Sequence, residues 1–190
     1  MVVFKSDIVP KSEAYLTSLE AQVELAVKTA MHRTGLVSEA RVKSIFEKEA
    51  YDTGRALRSV TFKVSKEYEQ YVLTVGSNLA YVFMLEFGRK PGKWPNLDAI
   101  TQWVGRKLRR QGVNTRVNIT YDQLKQLAKS GRHKATAAQK AYRQHLAVVY
   151  LVGRKIATKG IREKLIFTRI KEGSLAYFRT ELKKQLQLLQ

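Results

Sequence analysis

A chain of 190 residues with a hydrophobic fraction of 44% is long enough to bury one sizeable core, and only three prolines argue against long disordered tracts. Without cysteine there is no disulfide framework, no thiolate metal site and no cysteine nucleophile, and no apolar window approaches the roughly 20 residues of a membrane span. The net charge of +19 points to an anionic partner, and the N-terminus MVVFKSDIVPKSE has neither the basic start nor the apolar core of a signal peptide, so a soluble intracellular product is expected.

In chain order, residues 12–34 predict an amphipathic helix. Leu16, Leu19, Val23, Ala26, Val27 and Ala30 fall at helical spacing, with Ser12 as the cap and Gly35 as the stop. A second helix is expected at 39–50, with Val42, Ile45 and Phe46 on one side. Asp52 or Thr53 then caps a short turn through GRALRS. Val60, Phe62 and Val64 alternate with polar residues, as do Tyr71, Leu73 and Val75, which predicts a β-hairpin joined by the polar KEYEQ.

The stretch SNLAYVFMLEFG reads as a short helix that starts at Ser77-Asn78 and ends at Gly88. It is apolar on most sides and therefore expected to be buried, in a core or between subunits. Residues 96–111 read as a helix capped by Asn96, with Trp103 in its core face. VNTRVNI at 113–119 alternates like a strand, with Val113, Thr115, Val117 and Ile119 on one face. Residues 120–138 are polar and basic, with a short helix at YDQLKQLAKSG, and read as an exposed insertion. A helix over 136–159, a strand at KLIFTRI and a last helix capped by Ser174 complete the chain. That last helix carries a stripe of Leu175, Phe178, Leu182, Leu186 and Leu189.

This order predicts an α+β fold, a small antiparallel sheet packed by several amphipathic helices. It is read as a single domain over 1–190, with a basic insertion at 111–138.

VGRKLRRQGV at 104–113 and VGRKIATKGI at 152–161 repeat one pattern. Both read as helices closed by a glycine just past the end, where the following apolar residue packs back. That pairs Leu108 with Val113 and Ile156 with Ile161. Gly105 and Gly153, inside their helices, point to close backbone packing.

The charge is uneven. Residues 1–88 hold 11 basic and 11 acidic residues, whereas 89–164 hold 19 Lys/Arg against Asp98, Asp122 and Glu163. The positive field opens at GRKPGKWPN, a turn of restricted backbone with Trp94 between Pro91 and Pro95. It is not a phosphate-binding P-loop, because Gly88 and Gly92 have three residues between them and Trp94 stands where a hydroxyl is needed.

The three histidines, His32, His133 and His145, show no metal-ligand spacing and read as surface or packing residues. No nucleophile elbow is present, and Glu86 lacks a visible acidic partner for acid/base work. An ion pair from Glu86 to Arg89, Arg55 or Arg58 is the simpler role. The chain is read as no enzyme, with no cofactor and no metal. Basic residues interleaved with tyrosines would meet nucleic acid through its backbone, without sequence preference. Arg106, Lys107, Arg109, Arg110, Arg132, Lys134, Arg154 and Lys155 are the candidate contacts to DNA or an acidic partner.

YDTGRALRSVTFKV, VGSNLAYVFMLEFG, AITQWVGRKL and GRKIATKGI, in order and approximate spacing, resemble the minor tail component family of long-tailed bacteriophages, whose members complete the tail or join head to tail. The likeness covers roughly 12–110 and 139–190. Where the family commonly has a small polar residue after the Glu-x-Gly element, this chain has Arg89.

The resemblance implies a structural virion protein of the neck, made in the host cytoplasm and assembled as a homo-oligomeric ring, often of six. The ring would surround the DNA passage, contacting neighbouring neck and tail-tube proteins and, without sequence specificity, DNA. Tyr81, Glu86, Phe87, Arg89, Lys90, Lys93 and Trp94 would then meet the next subunit or partner ring. A tail terminator that caps the tube, or a non-sequence-specific nucleic-acid-binding protein, are the alternatives.

Overall fold

The computed structural model describes residues 8–68, 70–129 and 136–189, with side chains from residue 15 onward. Its elements are α1 (Ile8–Glu49), α2 (Arg55–Ser59), β1 (Val60–Glu67), β2 (Gln70–Ser77), α3 (Ala80–Phe87), α4 (Leu97–Arg110), α5 (Tyr121–Lys129), α6 (Ala137–Lys159) and α7 (Ile166–Gln187). The fold is α+β, several helices with one two-stranded antiparallel sheet, as the sequence predicts. The chain forms two compact units, residues 1–82 with 165–190, and residues 83–164.

The first unit is organised by α1, which runs as one helix through Gly35 instead of stopping there. Its buried positions Ala26, Ala30, Thr34, Ser38, Val42 and Phe46 recur every four residues. Each such step turns about 40° beyond a full circle, so Ala26 and Phe46 lie roughly half a turn apart and one helix can serve two neighbours. One neighbour is α7. Phe46 meets Phe167 edge to face at 6.2 Å, Ser38 Oγ donates to Ser174 Oγ at 2.7 Å, and Arg33 pairs with Glu181. These pairs run in opposite directions along the two helices, which are therefore antiparallel. The Arg33 guanidinium holds the Glu181 carboxyl below its ordinary range, against the opposing effect of its burial.

The other neighbour is the hairpin. Phe62 pairs with Val75 and Val64 with Leu73, which places both apolar rows on one face as expected, and the strands extend through Glu67 and Gln70. Gly35 explains why α1 does not break. A Cβ there would lie 2.2 Å from the Phe62 ring, so the glycine makes room for a neighbour and not for a turn. Glu24 accepts a hydrogen bond from the Tyr71 hydroxyl and pairs with Lys28 and Lys66, at 3.1 and 3.4 Å. Led by the Tyr71 bond, these contacts lower its pKa to about 2.

Three further expectations fail in this unit. The N-cap position of α2 is Gly54, in a left-handed conformation with no side-chain cap bond, and not Asp52 or Thr53. KLIFTRI is no strand; from Ile166 it forms the first turns of α7, because Ile166, Ile170 and Ser174 continue a helical face over a longer window than the alternation spans. Ser174 is therefore internal to the helix and holds Ser38 instead of capping.

The second unit packs α4, α5 and α6 around Ile100, Val104, Leu108, Ile119, Leu124 and Val149. Burying a side chain of this kind stabilises the fold by about 1.5–3 kcal/mol. Asn96 caps α4 as expected, accepting from Asp98 N and Ala99 N. The α4 end closes as expected: Val113 N donates to Leu108 O and Gly112 N to Arg109 O, at 3.0 and 3.1 Å. Thr136 and Gln139 form a reciprocal capping box at the start of α6.

Residues 113–119 bury Thr115 and Ile119 and expose Asn114, Arg116 and Asn118, yet they bend at 117–118 and pair with no strand. Alternating burial here comes from lying across the helices, not from a ladder. Nor is 121–129 an exposed insertion. Leu124 is fully buried, Tyr121 N donates to Asp98 Oδ1 at 2.7 Å, and Arg143 Nε donates to Ala128 O at 3.2 Å. Trp103, expected in the core, is partly exposed beneath the Lys107 ammonium at 5.9 Å.

Candidate functional site

The uneven charge of the sequence becomes a property of one body. Residues 83–164 hold 19 Lys/Arg against Glu86, Asp98, Asp122 and Glu163, a net of +15, while the remaining residues hold 16 against 12, a net of +4. A compact unit this basic holds a field that attracts polyanions and acidic surfaces.

The loop at the start of this field is tied down by its backbone. Arg89 and Ile161 exchange two hydrogen bonds, Gly92 N donates to Ala157 O at 2.7 Å, and Lys164 N donates to Leu85 O at 2.8 Å. The repeat expected from the two glycine-ended helices therefore splits. Val113 folds back on α4, but the Ile161 N–H turns to Arg89 instead of closing α6.

Arg89 is also not a free surface cation, because its guanidinium donates to the Lys93 carbonyl at 2.9 Å and to that of Trp94 at 3.4 Å. Trp94 is half exposed and lies against α6, 5.7 Å from the Tyr150 ring; a Cβ on Gly153 would come within 2.9 Å of the indole. Gly153 and likewise Gly105 are thus sites of close packing, as expected. This packing joins two predicted groups, since exposed Arg154 and Lys155 directly follow the glycine under Trp94, and Lys90 and Lys93 are exposed on the same loop.

α3 departs from its expected burial within the chain. Only Val82 and Glu86 are buried. Phe83 and Phe87 are 65% and 59% exposed, their rings 4.7 Å apart, with Tyr81 and Met84 also exposed on this helix. The buried part of the Tyr81 ring raises its phenol pKa. Glu86, at 4% exposure, is held inside while its apolar neighbours face outward. On α1, Tyr15, Leu16, Leu19 and Val23 form a second exposed apolar stretch.

Among the remaining predicted contacts, Arg106 and Lys107 are half-buried and Arg109 and Arg110 exposed at the end of α4; Arg132 and Lys134 lie outside the described residues. Arg109 belongs to a feature the sequence reading missed. With Asn114, Arg116, Asn118, Gln123 and Gln126 it lines a cleft of ≈ 830 Å³. The signal for it lay in VNTRVNI, where the polar members of the alternation point away from the core.

His145 is a packing residue, fully buried. Its Nε2–H donates to the Thr101 carbonyl and its Nδ1 accepts from Thr115 Oγ1, both at 2.8 Å, which fixes a neutral tautomer; burial pushes its pKa down. Among the described residues no group of three or more His, Asp or Glu could hold a metal, and no helix is long and apolar enough to cross a membrane. No family model, no curated protein and no solved structure matches the chain.

Proposed function

We propose that this chain is a structural subunit of a phage neck, joining head to tail or completing the tail as a member of a homo-oligomeric ring. The observation that carries the reading is the exposed apolar face of α3, Phe83, Met84 and Phe87 with Tyr81. Exposed aromatic surface of this kind marks a surface that another chain covers. The resemblance of VGSNLAYVFMLEFG and its neighbours to tail-completion proteins supplies the setting.

A closed ring of identical subunits needs two different patches on each chain, one for each neighbour. The second is the exposed stretch of α1 at Leu16, Leu19 and Val23. Residues 12–23 around it include Glu13 and Glu20 and no Lys or Arg, whereas α3 runs directly into Arg89, Lys90 and Lys93. In this reading the α1 stripe of one copy covers α3 of the next, with complementary charge beside the apolar contact. The basic unit is left to face the DNA passage and the neighbouring neck and tail-tube proteins.

Negative-stain electron microscopy of the purified protein at moderate salt tests the reading. Rings with a central hole are the expected result. Monomers at every concentration would contradict it.

A further inference from the structure

We infer that the cleft between the end of α4, residues 114–119, α5 and Tyr142 of α6 is a binding site for the phosphodiester backbone of a nucleic acid. Two guanidinium groups, Arg109 and Arg116, line it, and among the described residues neither has an ion pair or a side-chain hydrogen bond. No Asp or Glu lines the cleft. Two like charges facing one concavity without compensation repel each other and favour an anion between them, and guanidinium matches phosphate oxygens in a two-pronged geometry.

The other polar groups are suited to the same ligand. Gln123 is fixed by the start of α5: its Oε1 accepts the Thr120 N–H at 2.9 Å, while its own N–H donates to Thr120 Oγ1 at 3.2 Å. The side-chain oxygen being used by the cap, the amide NH₂ is the group left to donate. Asn114, Asn118 and Gln126 add carboxamides, and Tyr142 supplies a ring on which a base can stack. The volume lies within the range of small-ligand sites, large enough for a nucleotide unit. The surrounding unit, at +15, brings a polyanion to the cleft. Subunit assembly makes no use of this cleft, so the two proposals stand or fall separately.

Fluorescence polarisation with a labelled oligothymidylate and a duplex of matched length tests the site on the full chain. Two charge-assisted contacts are lost in R109Q/R116Q, so its affinity should fall at least about tenfold. K140A/K159A, which removes the same charge from the same unit outside the cleft, should lose far less. R116Q alone, at an exposed position outside any helix or strand, gives the same direction if the double variant is unstable. Tighter binding of the single strand would assign Tyr142 to an unpaired base, and equal binding would assign the cleft to phosphate alone. Equal losses in both double variants, absence of binding, or displacement by polyglutamate as effective as by oligonucleotide would overturn the assignment.

Discussion

Arg89 and Ile161 exchange both of their backbone hydrogen bonds, at 2.9 and 2.8 Å, and each follows a glycine that has no space for a side chain. A Cβ on Gly88 would lie 2.6 Å from Ile161 O, and one on Gly160 would lie 2.1 Å from Arg89 O; both glycines have φ of +73°. The bridge fastens the basic loop to the segment after α6. Its two backbones can approach only because neither glycine carries a side chain.

The first prediction follows from that geometry. G88A and G160A combine left-handed strain with a backbone clash and should each cost more than about 2 kcal/mol in urea unfolding. Gly112 has a similar φ of +82° but open space around it, so G112A should cost only about 1 kcal/mol. Equal costs at all three positions would remove the bridge from the account.

Gly35 yields a prediction of opposite sign to the usual rule. Glycine to alanine inside a helix ordinarily gains up to about 1 kcal/mol. Here the added methyl meets the Phe62 ring, and overpacking should destabilise the protein by about 1–3 kcal/mol. G35A combined with F62L should recover part of the loss, measured by the same unfolding.

What could be read from the sequence was what local chemistry decides. Asn96 as a cap, Gly112 with Val113 as a helix end, and the Phe62–Val75 alternation each depend on residues within a turn or a strand pair. Gly35 was misread as a stop because its reason is Phe62, far away in sequence. VNTRVNI and KLIFTRI both alternate, yet one crosses helices and the other is helix, since a seven-residue window cannot tell which neighbour tertiary packing will supply. Of the site, the basic loop and Trp94 were visible as composition. The cleft was not, because Arg109, Arg116, Gln126 and Tyr142 come from four separate segments that only the fold brings together.

His145 makes stability pH-dependent. Burial lowers its pKa in the folded state, so as pH falls below the ordinary histidine value near 6.5 the unfolded chain takes up a proton that the folded chain refuses. Stability should therefore be complete above that value and decline as pH drops toward the depressed folded pKa. Urea midpoints from neutral to mildly acid pH should fall more steeply for the wild type than for H145Q. Parallel slopes would contradict the buried neutral tautomer.

Salt should act in opposite directions on the two proposed activities. Rings bring units of net +15 close together, and screening this repulsion should outweigh screening of the few opposite charges beside the α1–α3 contact, so assembly should rise as salt increases from low to moderate. Oligonucleotide binding should weaken over the same range. Sedimentation velocity and polarisation on one set of samples check both.

The central claim is head-to-tail assembly through two different patches, and native mass spectrometry of mixed variants tests it most directly. F83S/F87S spoils the α3 patch and L16S/L19S the α1 patch, at residues exposed in the folded chain. Each variant alone should be monomeric, and an equimolar mixture should give a one-to-one dimer that grows no further, joined at the single intact contact. Homodimers of L16S/L19S, or a mixture that stays monomeric while the wild type forms rings, would contradict the pairing of α1 with α3.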